Sequence, residues 1–546
     1  MAGEPAGLVR LQAAVVLAVV VLAHGSLAPF VADADSFYHL GHAAHYAANG
    51  LFDTAFPWAT TSAIGDLGGD LWWGFHMVLL PFAGSLGLVD GIRAAALVST
   101  SLLAAAVWWV LRRHAIRGAG WWTALFLVAS PNVLYRYLMV RPHVLSLALA
   151  LLLLSFLIRG RWWHLVLIST AMTWLHVSLF WMAPGIVAAY AVSRTLVPAS
   201  STAGGTREPA DPGVPILLAW GAVLAGTLLG ALLRPHPLAT AELAWIQIVQ
   251  LFAVKGSDRP LLFATELQPL PVLDLVRSSW SFLLVWSLAL VAAWGWRGVA
   301  GGDLDTPPVP LPERRVTVAA VLVAAVFLVL TLASARRALV EFTAFGFLLL
   351  PLAWTHLVPA GARRRVAPAL ALLLVAHLAW GARRHQLNAR FVAEPPDRLA
   401  EVATWLAANG EPGDVVFHAH WDNFGPLFAR NRVTRYLGGM DPIFQYAHDP
   451  GLYWEYFFLS ADATTEYTCD AFPCFEGEAT ATWSAIRHHF GARWVVVEPA
   501  RNPKLTRFLE DQELFRPVLR TRREIVFEVV IPDHPPPPAA PGAGPS

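Results

Sequence analysis

The stretch LQAAVVLAVVVLAHGSLAPFVADADSFYHL, residues 11–40, decides the fold class. Residues 11–30 contain no Asp, Glu, Lys or Arg. A helix of that length spans a hydrocarbon layer about 30 Å thick. The chain then turns polar at once, with Asp33, Asp35 and His39 following the run directly. The segment before it carries a single arginine, Arg10, and the run is longer than a signal-peptide core of about 7–15 residues. It is read as a retained membrane anchor.

Similar runs recur downstream, near 92–111, 119–134, 143–158, 162–176, 179–195, 214–233, 279–296, 316–333, 338–358 and 366–381. Lipid tolerates only helices and closed barrels, so the pattern predicts a polytopic α-helical membrane protein with about eleven transmembrane helices. Composition agrees. The 546 residues are 56% hydrophobic and 14% charged, with mean hydropathy +0.51, where a soluble domain carries roughly 25% charge. A net charge of +1 gives no global basic field for nucleic acid. Residues 71–80, LWWGFHMVLL, are apolar for too short a length to span and are expected to lie on the membrane surface.

With the N-terminus in the cytoplasm, the clusters RRHAIRG (112–118), RGR (159–161) and ARRR (362–365) also face the cytoplasm. The Gly/Pro/Ser-rich segments 198–213 and 298–313 read as cytoplasmic linkers. Residues 234–277 read as an ordered outer loop. The membrane domain is placed at 1–385, with its first outer loop at 31–91. An extracytoplasmic α/β domain follows at 386–531, from the helix PPDRLAEVATWLAANG and the strands in GDVVFHAHW and GARWVVVEP. Residues 532–546 form a Pro-rich tail. Cys469 and Cys474, too few for a Cys-based metal cluster, suit a disulfide outside the cytoplasm.

A single carboxylate at a helix end needs no function beyond solvating that end. DADSFYHL asks for more, because Asp33 and Asp35 are two residues apart and His39 lies one turn from Asp35. Such a pair can share a hard divalent cation, or one member can act as general base. On the same predicted face lie Arg136, Arg141 and His143 in YRYLMVRPHVLS, and Arg336, Arg337 and Glu341 in SARRALVEF. Guanidinium groups suit a phosphate or diphosphate, although arginines beside a span also snorkel to headgroups. Glu266 in FATELQPL is a loop acid that can add a metal or acceptor contact. His76 and His176, each near tryptophan, read as satisfied interfacial histidines, and His42 and His45 as decoration of their helix. Asp422 and Asp441 follow predicted strands and read as helix caps or acceptor contacts.

An early Asp-x-Asp pair ahead of many spans resembles the membrane glycosyltransferases of the GT-C fold. DSFYHLG (35–41) is similar to the aspartate–aromatic–Tyr–His segment of archaeal oligosaccharyltransferase catalytic subunits. The resemblance implies a GT-C-like membrane domain and a polyprenyl-phosphate-linked sugar donor. It also implies transfer to an extracytoplasmic glycan, lipid or protein acceptor. In that register Asp35, helped by Asp33, is the catalytic residue or the ligand of magnesium or manganese. His39, Arg141, His143, Arg336, Arg337 and Glu266 would contact substrate. The WWD motif of oligosaccharyltransferases is absent, since HWDNF (420–424) has one tryptophan. The competing reading is a polytopic transporter or lipid flippase. Duplicated halves with matching broken helices, which transporters usually show, are not evident.

Overall fold

A computed structural model describes residues 4–198, 213–256, 261, 264–299, 309–356, 358, 360–462, 467–469 and 479–531. Most of both expected linkers, the expected Pro-rich tail and Cys474 lie outside the described residues. The chain divides into two compact units. One holds 1–32, 93–234 and 265–393, and the other holds 33–92, 235–264 and 394–546.

The first unit is helical. Among the described residues of the chain, nine helices are long and apolar enough to cross a membrane, with Ile216–Leu232 a shorter tenth apolar helix. One of the nine, Pro237–Lys255, falls within the expected outer loop and in the second unit. The expected span 119–134 is broken. It forms Ala119–Leu127 and then Pro131–Tyr137, with Ser130 extended between them at φ −145°, ψ 128°. Pro131 explains the break: it supplies no N–H and drives the preceding residue out of the helical region.

Trp162–Leu175 has only 14 residues. It packs along Ile216–Leu232, whose Gly226 and Gly230 let the backbones approach. A Cβ on Gly226 would sit 2.1 Å from the Ser169 hydroxyl, and one on Gly230 would sit 2.4 Å from the Thr170 carbonyl oxygen. Close approach over small residues is how helices associate where lipid weakens the hydrophobic drive. Leu147, Leu151, Leu154, Val187, Ala320 and Phe345, all buried, belong to the unit's apolar core.

The second unit joins three distant stretches of sequence around one sheet. Its strands are β1 (Val415–His418), β2 (Arg435–Tyr436), β5 (Ala492–Val497), β6 (Phe515–Arg520) and β7 (Ile525–Val529), with β3 (Tyr467–Cys469) and β4 (Ala479–Ala481) forming a separate pair. The order is β2-β1-β5-β7-β6. β1 runs parallel to β2 and β5, and β7 runs antiparallel to β5 and β6. The apolar run of GARWVVVEP is thus a central strand buried on both faces, as such runs predict.

The first loop completes this sheet. Ala59 bridges Tyr436 in parallel, Thr60 N–H donates to the Tyr436 carbonyl at 2.8 Å, and Tyr436 N–H donates to the Trp58 carbonyl at 2.8 Å. The Asp35–Asn49 helix packs on the Phe424–Arg430 helix. A Cβ on Gly41 would lie 2.8 Å from Ala429 Cα, and one on Gly425 would lie 2.6 Å from the Ala34 carbonyl oxygen. Segments joined this way lie on one side of any membrane. The chain must therefore cross an even number of times between the first loop and the C-terminal domain.

Candidate active site and metal-ligand cluster

The expected site residues fall into two constellations, one in each unit. In the second unit, Asp33 is buried and its Oδ1 accepts a hydrogen bond from the Ser36 hydroxyl. Asp35 opens the Asp35–Asn49 helix and is half-buried in its first turn, where the positive end of the helix dipole favours a carboxylate. Among the described residues, Asp33 and Asp35 belong to no group of three or more metal-competent side chains.

The same helix turns a polar face inward that carries His39 and also His42, the latter expected only to decorate the helix. His39 Nδ1 lies 3.0 Å from His76 Nε2, and His76 Nδ1 lies 2.6 Å from Asp70 Oδ2. Tyr46 donates its hydroxyl to the same Asp70 oxygen at 2.9 Å, and the Trp72 N–H donates to Asp70 Oδ1 at 2.8 Å. His42 Nδ1 meets the Tyr38 hydroxyl at 3.0 Å, and its ring stacks on Tyr46 with centroids 4.7 Å apart. His42, Asp70 and His76 are 1%, 3% and 0% exposed.

Burial, reinforced by His76, holds the His42 imidazole well below its usual pKa, so it is neutral at pH 7. Burial would raise Asp70, yet His76 and His42 outweigh it and hold the carboxyl low. Burial also pushes the Tyr38 phenol up, aided by Asp70 and Asp35.

The signal that could have exposed this group is helical spacing. His39, His42 and Tyr46 recur at i, i+3 and i+7, the period of one helix face. Asp70 and His76 bracket the entry to the Trp73–Ser85 helix. That helix packs against Asp35–Asn49. Trp72 and Trp73 are buried, at 6% and 7% exposed.

In the first unit, Glu266 draws two arginines together. Arg136 reaches its Oε2 at 2.7 Å and Arg141 its Oε1 at 2.9 Å. Burial would raise the Glu266 pKa, but Arg141, Arg136 and Arg337 hold it well below the usual range. Both carboxylate oxygens are engaged by guanidinium groups, so Glu266 serves as the counter-ion of the cluster.

The loop carrying Glu266 is fixed to the Arg336–Ala338 turn. Arg336 N–H donates to the Gln268 carbonyl at 2.8 Å, and Leu270 N–H donates to the Thr331 carbonyl at 2.9 Å. Arg337 is exposed. On the helices that flank the cluster, His143 Nε2, Ser146 Oγ, Tyr137 OH, Thr343 Oγ1 and Arg136 Nε are buried without a hydrogen-bond partner. Such polar groups within spans mark sites and pathways.

In the C-terminal domain, Asp422 pairs with Arg398 at 3.2 Å and Arg501 at 3.1 Å. Asp441 caps the Pro442–His448 helix through the Ile443 N–H.

No protein-family model matches the chain, and no curated protein does. Among solved structures, the apo oligosaccharyltransferase of Archaeoglobus fulgidus aligns over 88% of this chain and 69% of its own. The two share 12% identity at a TM-score of 0.54. Apo ArnT from Cupriavidus metallidurans aligns over 95% of this chain and 97% of its own, at 14% identity and a TM-score of 0.44. ArnT bound to undecaprenyl phosphate covers 96% and 98%, at 14% identity and 0.38. At such identities the likeness to the oligosaccharyltransferase is one of fold. The expected fold class, a polytopic helical chain with a C-terminal α/β domain, is thus met, in a fold shared with that oligosaccharyltransferase.

Proposed function

We propose that this chain is a multi-pass membrane glycosyltransferase that transfers a sugar from a polyprenyl-phosphate-linked donor to an acceptor outside the cytoplasm. The observation that carries this reading is the fold shared with an oligosaccharyltransferase over most of the chain. The Asp35 helix start and the arginine cluster around Glu266 support it. Asp35 would act as the base that activates the acceptor hydroxyl or amide, with Asp33 as its helper. Arg141, Arg336 and Arg337 would hold the lipid phosphate, and His39, His143 and Glu266 would orient or neutralise these groups. The C-terminal domain and the first loop would share the extracytoplasmic side, and an acceptor glycan, lipid or protein would be engaged there.

The test uses membranes containing the full chain and a panel of radiolabelled polyprenyl-phosphate sugars. The native chain moves label from lipid to acceptor. Asp35→Asn reduces transfer by roughly 100-fold or more, in line with the loss of a general base. Undiminished transfer by Asp35→Asn removes Asp35 from the mechanism, and no transfer from any donor removes the function.

A further inference from the structure

We propose that His42, Asp70 and His76 form a binding site for a zinc-class divalent metal ion, which pins the first loop to the helix that opens it. One donor atom from each of the three residues lies within 4.8 Å of the other two. All three side chains are buried. His42 Nε2 is buried without a hydrogen-bond partner. A buried imidazole nitrogen left unsatisfied carries a desolvation cost, which a ligand at that nitrogen removes.

The outer contacts are those of a metal centre. Ligating histidines usually bond through their second nitrogen, which fixes ring orientation. Here His42 Nδ1 is engaged by Tyr38 and His76 Nε2 by His39. Asp70 Oδ1 accepts from Trp72 N–H, and Tyr46 steadies Oδ2. The atoms that face one another are His42 Nε2, which has no hydrogen-bond partner, and the pair His76 Nδ1 and Asp70 Oδ2, joined at 2.6 Å until an ion takes the place of the shared proton. Two nitrogens and one oxygen suit zinc and its late first-row neighbours rather than magnesium or manganese, which favour all-oxygen shells. The ion would join the Asp35–Asn49 helix to the segment from Asp70 to His76. This inference rests on the cluster alone and stands whether or not the chain transfers sugar.

The experiment measures metal in the purified full chain, loaded with zinc in detergent and desalted. The native chain retains about one zinc per chain, whereas His42→Ala and Asp70→Asn retain less than a tenth of that. Tyr46→Phe still binds, with affinity weakened roughly 10- to 100-fold. If the ligand variants fail to fold, the native chain decides. Chelation lowers its melting temperature and zinc restores it, while cobalt loading gives the visible absorption of a low-symmetry four-coordinate centre. Only trace zinc in the native chain, full retention by folded His42→Ala, or a melting temperature indifferent to chelation would overturn the proposal.

Discussion

Arg136 and Glu266, 130 positions apart in sequence, meet at 2.7 Å. The second oxygen of Glu266 is taken by Arg141, so one carboxylate holds two guanidinium groups that would otherwise repel each other. Glu266→Gln should therefore cost roughly 2–3 kcal/mol, the scale for hydrogen bonds to charged groups. A lower melting temperature at pH 7 would register the loss. Because the native pKa is depressed, the Glu266 contribution is present above its unfolded value, near 4.3, and fades as pH falls below it.

Arg337 is exposed beside this cluster. Arg337→Ala should leave the melting temperature nearly unchanged, as surface substitutions do within about 0.5 kcal/mol. If the cluster takes the lipid phosphate, KM for the donor rises about 10- to 100-fold, the equivalent of one charge-assisted hydrogen bond. A KM within twofold of the native value would place the phosphate elsewhere.

Two glycines in neighbouring helices should respond with opposite signs. Gly84 has nothing near its missing Cβ, so Gly84→Ala should gain about 0.5–1 kcal/mol from helix propensity. Gly41 faces the Ala429 backbone at 2.8 Å, and overpacking there costs about 1–3 kcal/mol. Gly41→Ala should lower the melting temperature because the clash exceeds the propensity gain. Equal stabilisation by both substitutions would contradict the packing of the Asp35–Asn49 helix on Phe424–Arg430.

Asp422 would be raised by burial, but Arg398 and Arg501 hold it at about 2. Its stabilising contribution is full above the unfolded value, near 3.9, and is lost as pH falls toward 2. Asp422→Asn should cost roughly 2 kcal/mol at pH 7. The gap from the native chain should shrink between pH 5 and pH 3, followed as unfolding midpoints in urea.

The long apolar helices and the two central strands, β1 and β5, were legible in the sequence, because each depends on local hydropathy; the boundary expected at 385 falls inside the Ala360–Phe391 helix. The break at Ser130 was legible in principle through Pro131, but a continuous apolar pattern hid it. The His42–Asp70–His76 cluster escaped for a different reason. Its members sit among apolar and aromatic residues whose pattern signals only burial, and their convergence comes from packing between the Asp35–Asn49 and Trp73–Ser85 helices. The pairing of Glu266 with Arg136 and Arg141 is likewise a tertiary fact. Residue types announced the charges but not which ones neutralise each other.

The hydrogen bonds of residues 58–61 to Tyr436 and Leu437 carry a consequence for biogenesis. A ribosome makes the edge segment of this sheet before nearly all the membrane helices, and the strand that accepts it only near the end. Until then the first loop stands without its partner, a long-range pairing of the kind that slows folding. A chain truncated before the C-terminal domain should therefore insert its helices yet leave residues 33–92 open to protease, which makes that loop a reporter of completed synthesis.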